Sequence, residues 1–362
     1  MIFKRIVQFL CVLASLCAII PMLPINIWWI DIFDYPLIEF TLFTFITLVL
    51  YVILFRKQNV IDYLFLGGLF ILLILQVSKL FPYSTLGNKQ LGDSSAQAEV
   101  SIKIFEANVL QKNERSEKLL HQIKNDDPDI LLLTEINMRW QRSIDSGIGS
   151  SYRYKVRVPQ DNTYGMLLYS KLKLENARVN YRVDGKIPSI NTNVILSDST
   201  AIRLYAIHPT PPDPEHKSSS SDRGIEMVKT GLMLIEEEQP IIVLGDFNEV
   251  AWSQNVSLFQ KISGLLDVRK GRGFYNTFDA KVLFMKWPLD QVFASEHFRV
   301  ETIKTWDYMG SDHFPFSATL TYEPIRAADQ KPHPINKDML EMLKKNVKDE
   351  ELKRGEDSIK IL

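Results

Sequence analysis

Three apolar runs crowd the first 82 residues of this 362-residue chain and constrain its fold more than any other feature. Ile6 to about Ile20, Leu37 to Phe55 and Val60 to about Phe81 are separated by short polar or proline-marked breaks. The second and third approach the roughly twenty residues an α-helix needs to cross a bilayer. The first is shorter, but it continues through Pro21, Met22 and Leu23, and no small-residue cleavage site follows it. A retained membrane helix is therefore expected there, not a removed signal peptide. Lys4 and Arg5 precede the first run and Arg56 and Lys57 separate the second from the third, whereas the loop from Pro24 to Pro36 carries Asp31 and Asp34 and no basic residue. Positive loops stay in the cytoplasm, so three crossings place everything after Phe81 on the outer side of the inner or plasma membrane. Trp28 and Trp29 suit the outer interface, while Lys79 and Lys89 lie on the side that should be poor in basic residues. Asp62 and Glu39 sit near span ends, within reach of headgroups or neighbouring helices. Cys11 and Cys17 both fall in the first run, so the outer part has no thiol to oxidise.

The remaining chain divides by composition. Residues 83–98 are rich in Ser, Gly, Asn, Gln and Asp and read as a linker; 99–322 alternate strand-like and helix-like stretches; 323–362 are proline-marked and charged and read as a solvated, mobile tail in which Met339 to Val347 is a candidate helix. Within the middle segment several short apolar runs end on chemically useful groups. Ile241 to Leu244 leads into Gly245-Asp246-Phe247-Asn248, and Gly310-Ser311-Asp312-His313 leads into Phe314 to Leu320. Ile102 to Phe105 runs into Glu106-Ala107-Asn108, and Asp129 to Leu133 runs into Thr134-Glu135. Strand ends of this kind can converge their side chains. A carboxylate beside an imidazole, and a carboxylate two residues from an amide, are suited to holding a metal, deprotonating water and steadying a phosphate.

These segments occur in order from Val100 to Thr321: Asn-Val-Leu, Thr-Glu, Tyr-Gly-Met-Leu-Leu-Tyr-Ser, Ile-His-Pro, Gly-Asp-Phe-Asn, Leu-Asp-Gln-Val-Phe and Ser-Asp-His. The series resembles the endonuclease/exonuclease/phosphatase superfamily. That resemblance implies a four-layer α/β sandwich, with two packed mixed sheets flanked by helices, here preceded by an all-α membrane region. It also implies Mg²⁺, with Mn²⁺ as the alternative; the oxygen-bearing candidates and the lack of a Cys cluster or paired-His spacing agree with that choice. By the same resemblance Glu135 is the principal metal ligand, Asn108 supports metal and phosphate, and Asp312 is a nearby acid. His313 is the essential histidine, Asp290 orients it, Asp246 positions or deprotonates water, and Asn248 binds a phosphate oxygen. An extended backbone would put Asp246 and Asn248 on one face. His208 resembles the second histidine of deoxyribonuclease I and the sphingomyelinases, where AP endonucleases carry tyrosine. Leu110 stands where AP endonucleases have an acid, and Gln291 replaces the more frequent histidine after Asp290. Arg223, opening a helix after Lys217 to Ser221, is a candidate phosphate ligand. Asn113 is a candidate cleft residue, and Tyr164 and Ser170 read as structural.

Charge narrows the substrate only a little. Of the chain's 42 basic and 43 acidic residues, 6 and 5 lie in the first 96, leaving 36 and 38 beyond. A near-neutral outer part lacks the overall basic footprint of a tight, non-specific duplex binder. The expectation is a membrane-anchored, Mg²⁺-dependent phosphodiester hydrolase using direct water attack, with nucleic acid ahead of phospholipid as substrate. The alternatives are a phospholipase C- or sphingomyelinase-like enzyme, a phosphomonoesterase, and a non-catalytic membrane-structural or binding protein. The bilayer is the partner the sequence names, through the N-terminal helices; no protein partner is identifiable.

Overall fold

The apolar runs form helices. In the computed structural model, which describes residues 2–23, 28–54, 59–183, 185–212, 219–332 and 335–360, they are α1 (Ile2–Ile19), α3 (Leu37–Leu54) and α4 (Val60–Leu80), with a single-turn α2 (Trp28–Asp31) between the first two. Arg56 and Lys57, part of the orientation argument, lie outside the described residues, as do Lys217 and Ser218. Phe3–Met22, Leu37–Leu54 and Val60–Tyr83 are each long and apolar enough to cross a membrane. Their outward faces carry exposed side chains such as Phe9, Phe45, Ile53 and Leu64, while Val7, Cys11, Ala14, Tyr51 and Leu69 pack between them. Asp62 is satisfied by neighbours: it completes a capping box with Asn59, accepts from Tyr51 Oη at 2.6 Å and pairs with Lys4 Nζ at 2.7 Å. The far ends of α1 and α4 are thereby tied together, and the other ends meet the globular part.

That part contains, in chain order, β1 (Ser101–Asn108), α5 (Glu117–Asp126), β2 (Ile130–Thr134), α6 (Met138–Gly147), β3 (Tyr154–Val158), β4 (Met166–Ser170), β5 (Lys173–Asn180), β6 (Ser189–Ile195), β7 (Ala201–Ala206), α7 (Ser219–Leu234), β8 (Ile241–Asp246), α8 (Gln254–Ser263), β9 (Leu266–Asp267), β10 (Asp290–Ala294), β11 (Phe298–Thr305), β12 (Phe316–Tyr322) and α9 (Lys337–Lys360). Two six-stranded mixed sheets result, ordered β11-β12-β1-β2-β4-β3 and β5-β6-β7-β8-β10-β9. Ile102, Ile104, Leu132, Leu204, Leu244 and Val292 fill the space between them. The opposite faces are covered: α5 and α6 bury Leu119, Ile123, Trp140 and Ile144 on one sheet, and α7 and α8 bury Met227, Val256 and Phe259 on the other. Coverage on both faces is why β2 and β8 read as continuous apolar runs without alternation. The edge strand β5 is instead largely exposed and carries Lys173, Glu175 and Arg178. The four-layer sandwich expected from the resemblance is present.

Two segments differ from the sequence expectation. Residues 83–98, read as a linker, run along the sandwich: Leu91 is wholly buried in the inter-sheet core, Asp93 bridges to Val300, and Gln90 Oε1 accepts from Asp267 N at 2.9 Å. Burying one leucine contributes roughly 1.5–3 kcal/mol, enough to seat a segment whose composition otherwise looks unstructured. The charged tail holds a 24-residue helix, α9, which buries Leu343 and ties Glu351 to Lys229 of α7 at 2.8 Å. The candidate helix over Met339 to Val347 is thus part of a longer one, and the difference from the sequence expectation is that it is seated on α7 and not wholly solvated.

Candidate active site

Sheet topology decides which side chains meet. β1 and β2 are parallel with Asn108 opposite Thr134, so Asn108 and Glu135 emerge together from one sheet. In the other sheet β8 and β10 are antiparallel with Asp246 opposite Asp290, so the end of one strand and the start of its neighbour deliver two acids. The two groups face each other across the open edge of the sandwich. Asn108 Nδ2 bridges them, donating to Glu135 Oε1 and to Asp246 Oδ2, both at 3.0 Å. Its Oδ1 accepts from Leu110 N at 2.9 Å, so the amide ties the carboxylates together and is not itself turned to offer oxygen to a metal. The backbone is strained where the strands end: Leu110, Glu135 and Asn248 have φ of 55°, 59° and 50°. Gly245 has φ of 138°, and a Cβ there would lie 2.0 Å from Ile207 O, so this position requires glycine.

His313 Nδ1 lies 2.8 Å from Asp290 Oδ2. An ionised carboxylate only accepts, so Nδ1 carries a proton and Nε2 is left facing Asp246 Oδ2, 3.7 Å away. His208 Nε2 approaches the same oxygen at 3.6 Å. Burial opposes charge on Asp246, but His313 and His208, with the donors of Asn108 and Asn248, outweigh it and hold the carboxyl below its ordinary range. Burial likewise opposes protonation of His313, and Asp290, then Asp246, override it, raising the imidazole to about 10. Asp246, Asp290 and His313 each offer one ligand atom within 4.8 Å of the others, so this cluster could hold a metal ion. A second group of oxygen donors lies on the opposite wall. Glu135 accepts from Gln111 N through Oε2 at 3.0 Å, and Asp312 lines the same cavity with Lys281 Nζ 3.6 Å from its Oδ2.

Asn108, Glu135, His208, Asn248, Asp312 and His313 line one cavity of about 360 Å³. Asp246 and Asp290 are buried directly behind it. A larger space of about 680 Å³ lies between the helix ends and the 249–261 region, but none of these residues lines it. The expected shared face of Asp246 and Asn248 does not arise from extended backbone. The chain turns at Asn248, whose N–H donates to Asp246 Oδ1 at 2.9 Å and whose Nδ2 donates to Pro209 O at 2.8 Å.

Two expected substrate residues are elsewhere. Arg223 is wholly buried and spent on carboxylates, donating from Nε to Glu249 at 2.7 Å and from Nη2 to Asp31 at 2.8 Å. A position opening a helix looks solvated in sequence; here it is covered by the loop between α1 and α3. Asn113 is outside the cavity, closing its own turn by donating to Val109 O and accepting from Arg115 N, and it packs against Gly310 at the site's back. Tyr164, read as structural, reaches the cavity and lies 5.7 Å from the His208 ring.

Sequence reasoning missed several wall residues. Ile32 and Tyr35, from the loop between α1 and α3, line the cavity together with Phe278 and Trp287. Tyr35 Oη donates to Asn248 O at 2.7 Å across 213 residues of sequence. Gln291, which replaces the expected histidine, is buried and donates to Glu249 O and Pro288 O, bracing the loop after β8 against the loop before β10.

Residues 100–313, more than half the chain, match the Endonuclease/Exonuclease/phosphatase family. The chain belongs to this family. No curated protein matches it. Among solved structures the family member resembles TDP2 from D. rerio complexed with single strand DNA product, at 15% identity, covering 61% of this chain and 99% of that one with a TM-score of 0.51. It also resembles the human Nocturnin catalytic domain with bound sulfate anion, at 17% identity, covering 62% and 95% with a TM-score of 0.50. At these identities the likeness concerns the fold.

Proposed function

We propose that this family member is a membrane-anchored phosphodiester hydrolase that requires a divalent cation, Mg²⁺ first and Mn²⁺ second, and works on the extracytoplasmic side. The observation that carries the reading is convergence: two histidines and an amide-braced Glu135 surround one buried carboxylate, Asp246, at the base of a single cavity. Glu135 and Asp312 supply oxygen donors of the type a hard cation takes, and bound there the ion would polarise a phosphoryl oxygen. Asp246, held in its ionised form with the raised His313 imidazole beside it, accepts a proton from the attacking water. That water's oxygen becomes bonded to phosphorus, one P–O ester bond breaks, and the departing alkoxide leaves as an alcohol after taking a proton from solvent water, to which Asp246 releases the proton it accepted. Asp290 holds the Nδ1–H of His313, so its Nε2–H and the neighbouring His208 point at the charge that develops on the phosphoryl oxygens. No covalent enzyme intermediate is required.

The sequence ranks nucleic acid ahead of phospholipid, and the DNA product held by TDP2 keeps nucleic acid in the substrate class. The reading is tested on the full chain, purified in detergent, with a soluble diester such as bis(p-nitrophenyl) phosphate. Glu135→Ala, Asp246→Ala and His313→Ala should each lower turnover about 10²–10⁴-fold, with the fold retained. Chelation should abolish activity and Mg²⁺ restore it. Wild-type turnover in a folded Glu135→Ala variant would remove the metal assignment.

A further inference from the structure

The wall of the cavity that faces the N-terminal helices is apolar and belongs partly to the loop between α1 and α3. Ile32 and Tyr35 line it, and no lysine or arginine does so among the described residues. Tyr35, Leu37, Leu80 and Tyr83, at the ends of α3 and α4, form one buried cluster with Val250, Trp252 and Leu289 of the sandwich. Hydrogen bonds fix the contact: Tyr83 Oη donates to Ala251 O, and Trp252 Nε1 donates to Asp34 O at 2.7 Å. The cavity is thus held at the mouth of the helix bundle, at a set height above the bilayer that the helices would occupy.

A second observation lies beside it. Phe278 and Trp287 pair across a loop and stack on each other, and between them Val282-Leu283-Phe284-Met285 projects into solvent, with Leu283 73% and Phe284 84% exposed. Four consecutive exposed apolar residues are costly in water and mark a surface made for an apolar medium. Lys281 and Lys286 flank them, an arrangement that suits a run dipping beneath anionic headgroups. The base of the loop joins bilayer and chemistry: Trp287 packs edge-on against Tyr35 at 5.6 Å and donates to Glu39 of α3, while Phe278 lies 5.1 Å from the His313 ring.

We infer that the substrate is a phosphodiester of a membrane lipid: its tail stays in the bilayer, its headgroup enters past Tyr35 and Trp287, and the 282–285 loop inserts beside it. The inference rests on the hydrolase reading above and replaces nucleic acid by lipid as the substrate of that site. A polyanionic strand would need a basic track, and the cavity wall supplies aromatic and aliphatic surface.

The test uses the full chain reconstituted into vesicles of phosphatidylethanolamine and phosphatidylglycerol with Mg²⁺, comparing wild type with Leu283→Asp/Phe284→Asp. Released headgroup or lipid product is measured by mass spectrometry, and bis(p-nitrophenyl) phosphate and single-stranded DNA serve as soluble comparators. Wild type should cleave vesicle lipid. The double variant should lose roughly tenfold or more of that rate while its rate on bis(p-nitrophenyl) phosphate stays within about twofold, which also shows that it is folded. Equal lipid rates for both proteins would overturn the role of the loop. Wild-type cleavage of DNA or the soluble diester with vesicle lipid untouched would overturn the lipid assignment and leave the hydrolase standing. Absence of turnover on every substrate would overturn both.

Discussion

Replacing Arg223 by alanine separates two accounts of that residue. Its guanidinium has no exposed surface and lies between Glu249 Oε1 and Asp31 Oδ2, at 2.7 and 2.8 Å. In the alanine variant Glu249, whose side chain is 2% exposed, keeps only Asn255 Nδ2 at 2.7 Å as a side-chain donor. Breaking a buried pair from one side costs about 3–5 kcal/mol, because a charge is left uncompensated. Asp31 is partly solvated and adds little. In a folded unit of this size each kcal/mol moves the midpoint by about 2–4 °C, so the apparent Tm of the detergent-solubilised chain should fall by about 6–20 °C. Adding Glu249→Gln to an Arg223→Met variant removes the stranded charge and should recover at least half of that loss. Thermal scans by near-UV circular dichroism, beside KM and kcat on a soluble diester, read both accounts. An Arg223→Ala protein with wild-type Tm and a KM raised tenfold or more would refute the structural account and return the residue to the substrate.

Two further outcomes follow. A reporter active only outside the cytoplasm, fused after Tyr322, should be active, and activity of a cytoplasm-only reporter at that site would reverse the orientation and the localisation with it. Burial pushes the Glu226 carboxyl up to about 7 from its ordinary 4.5; the folded state then binds more protons than the unfolded one between those values, and stability falls as pH rises through them, by roughly 3 kcal/mol in all. Glu226→Gln should flatten that slope in denaturant titrations at pH 4.5 and 7.5, and an unchanged slope would show that another group sets it.

The legible parts of this chain are those whose physics is local. Span lengths, strand ends and the order of the seven motifs are read from neighbouring residues, and the structure gathers Asn108, Glu135, His208, Asp246, Asn248, Asp290, Asp312 and His313 around one cavity. What sequence hides is set by distant partners. Arg223 at the start of a helix is compatible with solvent until Asp31, 192 residues earlier, covers it. Leu91 is one leucine in a polar stretch, and its burial depends on the two sheets closing over it. Asn113 sits close to the right strand end, but its amide is consumed by its own turn and by the close approach of Gly310. Asn248 reaches its neighbours by leaving the extended backbone that its spacing from Asp246 suggests.

The same distant contacts bear on how the enzyme is divided. A soluble piece starting near Ala96 looks natural from composition, since it keeps every motif. It would lose Leu91 from the inter-sheet core, the Tyr83 and Tyr35 hydroxyls from the carbonyls of Ala251 and Asn248, and two residues from the cavity wall. The buried Ala251 carbonyl left without its donor costs about 1–3 kcal/mol, and the part-buried one belongs to a strained asparagine beside the central carboxylate. In this chain the N-terminal helices therefore do more than precede a self-sufficient domain: the loop between α1 and α3 completes the wall of the cavity.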